Sequence, residues 1–109
     1  MAIYHDVAYM PVDRQKMNQA IFDALKPGGS FVIVDSSARS GTGANDAEKL
    51  HRIDEQLVKD ELQRAGFRLA GEGDFLRNAQ DTRDWSSSPV EAGERRGTSD
   101  RFVLRFVKP

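Results

Sequence analysis

A chain of 109 residues has room for one domain with a modest core, because small chains bury a smaller fraction of their surface. Its 39% hydrophobic and 30% charged residues and formal net charge of -1 describe an ordinary folded protein, and Lys and Arg alternate with Asp and Glu, so no basic stripe invites nucleic acid. Cys is absent, which removes disulfides, thiol nucleophiles and Cys-rich zinc sites, and no apolar run is long enough to span a bilayer. The start MAIYHDVAYM lacks the basic and apolar regions of a signal peptide, which makes the cytoplasm the default location.

The first element that the pattern predicts follows Pro11 and Val12. Asp13 caps a helix whose inward stripe is Met17, Ala20, Ile21, Ala24 and Leu25. Pro27 disfavours helical geometry at Lys26, and Gly28 and Gly29 allow the reversal, so the helix stops near Leu25. Ser30 to Asp35 then reads as a strand, and its consecutive apolar residues Phe31 to Val34 suggest cover on both faces, as in a parallel sheet flanked by helices. The small, polar segment from Ser36 to Asn45 leaves the end of that strand where open α/β sheets bind ligands.

A second helix is predicted from the N-cap Asp54, with Leu57, Val58, Leu62 and Ala65 inward, closed by Gly66 and Phe67 in a Schellman motif. A competing start at Asn45 places Glu48 in the capping-box position and adds Leu50 and Ile53 to the stripe. Phe67 to Leu76 is a strand with Phe67, Leu69 and Phe75 on one face, where Gly71 and Gly73 mark a bulge. Asp100 to Lys108 alternates more strictly, Phe102, Leu104 and Phe106 on one side, and the two strands are expected to pair antiparallel. Arg77 to Ser99 forms a long surface loop between them.

The succession of helix, Leu25-Lys26-Pro27-Gly28-Gly29, strand, helix, Ala65-Gly66-Phe67, strand, loop and a strand ending Phe106-Val107-Lys108-Pro109 resembles class I S-adenosylmethionine-dependent methyltransferases from their fourth strand onward. Tyr4-His5-Asp6, Leu50-His51-Arg52-Ile53-Asp54, Leu76-Arg77-Asn78 with Asp81, and Asp100-Arg101-Phe102 look like a bacterial family of predicted methyltransferases. The resemblance implies a single truncated α/β domain over residues 1–109: a partial Rossmann-like sheet with a fourth strand ending near Ala2 and Ile3, a fifth at Ser30 to Asp35, an antiparallel last pair, and flanking helices. Full-length relatives begin with a strand and a glycine-rich turn that approaches the methionine part of S-adenosylmethionine, then an acidic residue for the ribose hydroxyls, and this sequence lacks that region. Gly41-Thr42-Gly43 lacks the third Gly and the immediate helix of a dinucleotide fingerprint, so it reads as a loop rather than a phosphate cradle. The expectation is a domain related to small-molecule methyltransferases, inactive or impaired by itself.

The same resemblance sets Tyr4, His5 and Asp6 between methyl donor and acceptor, with Tyr4 and His5 nearest the cofactor and His5 or Asp6 taking a proton from an acceptor hydroxyl. His51 is a further candidate base, Arg52 a holder of anionic substrate, and Asp54 a helix cap. Arg77, Asn78, Asp81 and Arg101 either clamp a substrate from the loop or form ion pairs, Arg77 or Arg101 with Asp81 or Asp100, that fix the loop. Trp85 covers a pocket or the edge of the core. A metal site of His5, His51 and Asp35 has no supporting local spacing, and none is expected. The non-enzymatic alternative is an interaction module whose exposed strand edge, at Ala2 and Ile3 or Ser30 to Asp35, makes a homodimer or a strand-exchanged oligomer.

Overall fold

The computed structural model describes residues 1 and 4–109. The fourth-strand end expected near Ala2 and Ile3 lies outside the described residues. The described elements begin earlier than the pattern suggested, with a helix α1 at Tyr4–Tyr9. It is followed by α2 at Arg14–Ala24, β1 at Ser30–Ser36, a one-turn α3 at Ala47–Leu50, α4 at Glu55–Arg64 and β2 at Arg68–Gly73. A second one-turn helix, α5 at Pro89–Ala92, lies in the long loop, and β3 at Arg101–Val107 closes the chain. Among the described residues no helix is long and apolar enough to cross a membrane.

The domain is α/β: a three-stranded antiparallel sheet with flanking helices. The last strand, β3, lies between the other two and pairs antiparallel with both. Its strict alternation suits it to that place. Phe102, Leu104 and Phe106 have no exposed surface, and the register sets Ile33 opposite Leu104 and Leu69 opposite Phe106 on the same face. Each such side chain withdrawn from water contributes about 1.5–3 kcal/mol. Tyr4, Val58, Leu62 and Phe67 complete the cluster, with Ile21, Phe22 and Leu25 of α2 packed against it.

Among the described residues the core lies on this face of the sheet. Val32 is 40% exposed and its neighbour across the register, Arg105, is exposed, so the expectation of cover on both faces of β1 is corrected. A run of four apolar residues was the wrong guide here, because Val32 alternates onto the other side, where it is left exposed, while Val34 on that side is half-buried at the cleft. The free edge expected at Ser30 to Asp35 is also largely used. Met1 donates to Val32 O and its carbonyl accepts from Val34 N–H, the alternation that a parallel neighbour makes. Further along, Ile53 forms an isolated parallel bridge with Ser37.

Local signals explain most of the boundaries. Asp13 accepts from the Lys16 N–H and opens α2, and Lys108 Nζ donates to the last-turn carbonyl of Leu25. The stripe of α2 differs from the expected one. Ala20 and Ala24 are exposed, while Asn18 is fully buried and Phe22 packs inward. Asn18 is tolerated there because its amide donates to the buried Tyr4 hydroxyl. Both candidate starts of the second helix are used: α3 forms near Asn45, and His51, in the left-handed region at φ 52°, separates it from α4. On β2 the bulge falls at Ala70, between Leu69 and Gly71, and Phe75 lies past the strand, 75% exposed, instead of on the core face.

The Schellman motif forms as expected. Phe67 N–H donates to Leu62 O and Gly66 N–H to Gln63 O, and Gly66 sits at φ +107° with the ring of Phe22 3.0 Å from where a Cβ would be. Gly66→Ala therefore combines backbone strain with a clash against the core, and a loss of roughly 1–3 kcal/mol is expected in urea unfolding. An unchanged midpoint would show that this turn does not set the packing of α4 on α2.

Candidate functional site

The carboxyl end of β1 opens into a cleft of about 440 Å³ lined by His5, Asp6, Val34, Asp35, Ser36, His51, Ser87, Ser88, Pro89 and Arg101. Its centre is Asp35, the polar residue that ends an apolar strand. The Asp35 side chain is 2% exposed and accepts three hydrogen bonds, from the His5 backbone N–H (2.8 Å), from His5 Nδ1 (2.8 Å) and from the Ser36 N–H (2.8 Å). The first of these satisfies a first-turn N–H of α1 and so fixes the helix to the strand. The second fixes the imidazole: a carboxylate accepts, so Nδ1 carries the proton shared with Asp35, and Nε2 is the nitrogen at which the ring gains or loses its second proton.

That nitrogen points at Asp6, whose Oδ1 lies 3.1 Å away. Burial works against charging His5, but the hydrogen bond and charge of Asp35, helped by Asp6, outweigh it and raise its pKa above the ordinary histidine value. His51 stands edge-on to His5 with ring centroids 5.4 Å apart. Its left-handed backbone is held by the loop: Ser87 N–H donates to Leu50 O at 3.0 Å and Ser87 Oγ to His51 O at 2.7 Å. Glu91 on α5 comes within 3.7 Å of His51 Nε2. Arg101, half-buried at the start of β3, forms no side-chain hydrogen bond or ion pair among the described residues.

The structure thus brings four of the expected site residues, His5, Asp6, His51 and Arg101, into one cleft. It places the others elsewhere. Tyr4 is fully buried, its hydroxyl donating to Glu61 Oε1 at 2.8 Å and accepting from Asn18, and burial pushes its phenol pKa well up; it is a core residue without access to substrate or cofactor. Arg52 faces no ligand either. Its side chain is entirely buried and donates to both oxygens of the equally buried Asp81 (2.7 and 3.1 Å), to Ser37 O and to Trp85 O, with its guanidinium carbon 4.6 Å from the centroid of the Trp85 ring.

Arg77 pairs with Glu55 at 2.8 Å and with Asp100 at 3.1 Å, one of the ion pairs considered from the sequence, and Asp100 is buried rather than exposed. Asn78 bridges the loop ends through Asp100 and Thr98. Asp54 is the helix cap, and its second oxygen accepts from the N–H groups of Gly41 and Gly43, which are therefore spent on the protein and not offered to a phosphate. Sequence reasoning set Asp35 beside His5 only in a metal site that it did not expect, and did not foresee Ser87 to Pro89 as a wall. The signal for Asp35 was its position, since a carboxylate closing a buried strand must find donors.

The fold and cleft define a two-layer α/β domain with a polar, histidine-bearing pocket at a strand end. No family model, no curated protein and no solved structure matches the chain.

The Arg52–Asp81 pair yields a prediction with a definite sign. Burial alone would raise the Asp81 carboxyl, but the hydrogen bonds from Arg52, Asp100 and Arg83 lower it, so its folded pKa is below the unfolded one. Its stabilisation is fully present above the unfolded value of about 4 and is lost as pH falls through the folded value. Asp81→Asn is expected to cost roughly 3–5 kcal/mol at neutral pH, because the Arg52 charge stays buried. Urea titrations between pH 6 and about pH 2 should also show a shallower acid loss in the variant, and parallel curves would remove Asp81 from the acid transition.

Proposed function

We propose that the chain is the acceptor side of a methyltransferase-like site, related to class I S-adenosylmethionine-dependent small-molecule methyltransferases and impaired in cofactor binding by itself. The observation that carries the reading is the Asp35–His5 pair: His5 is one of the residues that the resemblance sets between methyl donor and acceptor, and it stands at the carboxyl end of β1, the side on which open α/β sheets bind ligands. The antiparallel pairing of β2 with β3 and the parallel-type bonding of Met1 along β1 also agree with it.

Within the cleft the roles follow from the hydrogen bonds. His5 Nε2, oriented by the proton that Nδ1 gives to Asp35, is the atom that takes a proton from an acceptor hydroxyl. His51, across the cleft, orients that hydroxyl, and Arg101 meets an anionic group on the same molecule. The described residues do not fit the whole of S-adenosylmethionine. Of the ten lining residues only Val34 and Pro89 are apolar, too little to cover an adenine, and the Gly41 and Gly43 amides are already bonded to Asp54.

Titration calorimetry of this chain with S-adenosylmethionine is expected to give no saturable heat at hundreds of micromolar; micromolar binding to the monomer would overturn the claim of impairment. Small hydroxy acids should shift the imidazole proton resonances of His5 and His51, and Arg101→Ala should abolish the shifts. A panel of such acids that leaves both rings unmoved would sink the acceptor role.

Self-association is the second reading, moved from the strand edge to the open sheet face, where Val32 is 40% exposed beside Val34 and Val103. Light scattering after size exclusion should then report a dimer that Val32→Lys dissociates, whereas a monomer at high micromolar concentration contradicts it.

A further inference from the structure

We infer that His5, Asp6 and His51 form a binding site for a divalent transition-metal ion of the zinc class. One ligand atom from each lies within 4.8 Å of the other two. The inference stands on this geometry and does not depend on the methyl-transfer reading.

Three features select a cation. With Nδ1 hydrogen-bonded to Asp35, His5 Nε2 lies 3.1 Å from a carboxylate oxygen of Asp6, so a nitrogen and an oxygen ligand atom converge on one point. The second imidazole stands edge-on beside them, its ring centroid 5.4 Å from that of His5, and supplies the third ligand atom. Next, Asp35 stands behind His5 as the outer carboxylate that histidine ligands characteristically have, holding both tautomer and ring orientation. Its side chain is almost wholly buried and also tied to two backbone N–H groups, so the first ligand is pre-set. Finally, the site opens on a cleft that leaves room for water or a substrate oxygen, the open position of a catalytic rather than a structural site.

Two imidazoles and one carboxylate suit zinc, cobalt or iron(II) better than magnesium or calcium, which prefer oxygen alone. Ligand bonds of about 2.1 Å in tetrahedral arrangement set ligand atoms roughly 3.4 Å apart, so the three atoms, now within 4.8 Å of one another, would draw closer as the ion binds. Metal and proton compete for the same His5 nitrogen. With metal bound, an acceptor hydroxyl in the fourth position would lose its proton more readily because of the ion.

The test is calorimetry of the intact chain with zinc chloride, paralleled by visible absorption with cobalt chloride. One equivalent of zinc is expected to bind, with d–d bands of a low-coordinate cobalt site. His51→Ala and Asp6→Asn should each weaken zinc by at least about tenfold, and Asp35→Asn, which touches no metal, by about 10–100-fold. Asp6→Asn keeps shape at a partly exposed position and serves if a histidine variant misfolds, with far-UV circular dichroism as the check. Absence of zinc binding at hundreds of micromolar overturns the site, as does binding that Asp6→Asn and His51→Ala, both folded, leave unchanged.

Discussion

The buried pair of Arg52 and Asp81 is the constraint from which the shape of the cleft follows. Two fully desolvated charges are held by a bidentate contact, and the surplus donors and acceptors are met by Ser37 O, Trp85 O and the N–H groups of Arg83 and Asp100. Such a pair adds little net stability over an apolar pair of the same volume, but its geometry is unforgiving because either charge left alone is costly. Specificity is what it supplies here. A loop of more than twenty residues would otherwise have many surface courses open to it, and only those that bring Asp81 to Arg52 keep both charges satisfied.

Consequences run in both directions along the chain from that contact. On one side, the path through Trp85 brings Ser87 against the end of α3, where its two hydrogen bonds hold the left-handed turn at His51. On the other, the Asp100 N–H bonds Asp81 while the Asp100 side chain collects Arg77, Arg83 and the Asn78 N–H, which sets the start of β3 and with it Arg101. The cleft wall is therefore set by Arg52, Asp81 and Asp100, which do not themselves line it. Arg52 matters to the site as a positioning residue, and its neighbour His51 carries the exposed chemistry.

Elements governed by local physics were legible in the sequence. Asp13 and Asp54 as caps, the stop at Gly66, and the alternation of Phe102, Leu104 and Phe106 each depend on residues within one turn or one strand, and each took the expected form. What escaped depended on contacts made across the fold. Asn18 is buried only because Tyr4 arrives from α1, and Phe75 leaves the core face only because a bulge at Ala70 shifts the register against β3. Arg52 resembled a ligand-binding cation because its partner lies far along the chain, and a fully buried arginine has no local signature. Part of the candidate site shared this fate: His5, Asp6 and His51 were visible as chemistry-bearing residues, but their meeting at one point needed the sheet, α1 and the loop together.

Asp35 ties these levels to one another. As the polar end of β1 it must find donors, and it finds them in the backbone of α1, in its own neighbour Ser36 and in the His5 ring. The same three bonds that solve a packing problem determine which nitrogen of His5 gains or loses the second proton and where it points. The orientation is thus a by-product of fold stability and needs no further energy at the moment of binding, the condition under which a preorganised group acts most effectively. The proposed proton transfer and the inferred metal ligation would both draw on that nitrogen. On the proposed readings, the occupant of the gap between His5 and Asp6 would decide between them: a proton would leave His51 to orient the acceptor, whereas a metal ion would make it a ligand and join α1, the turn after α3 and the end of β1 into one centre.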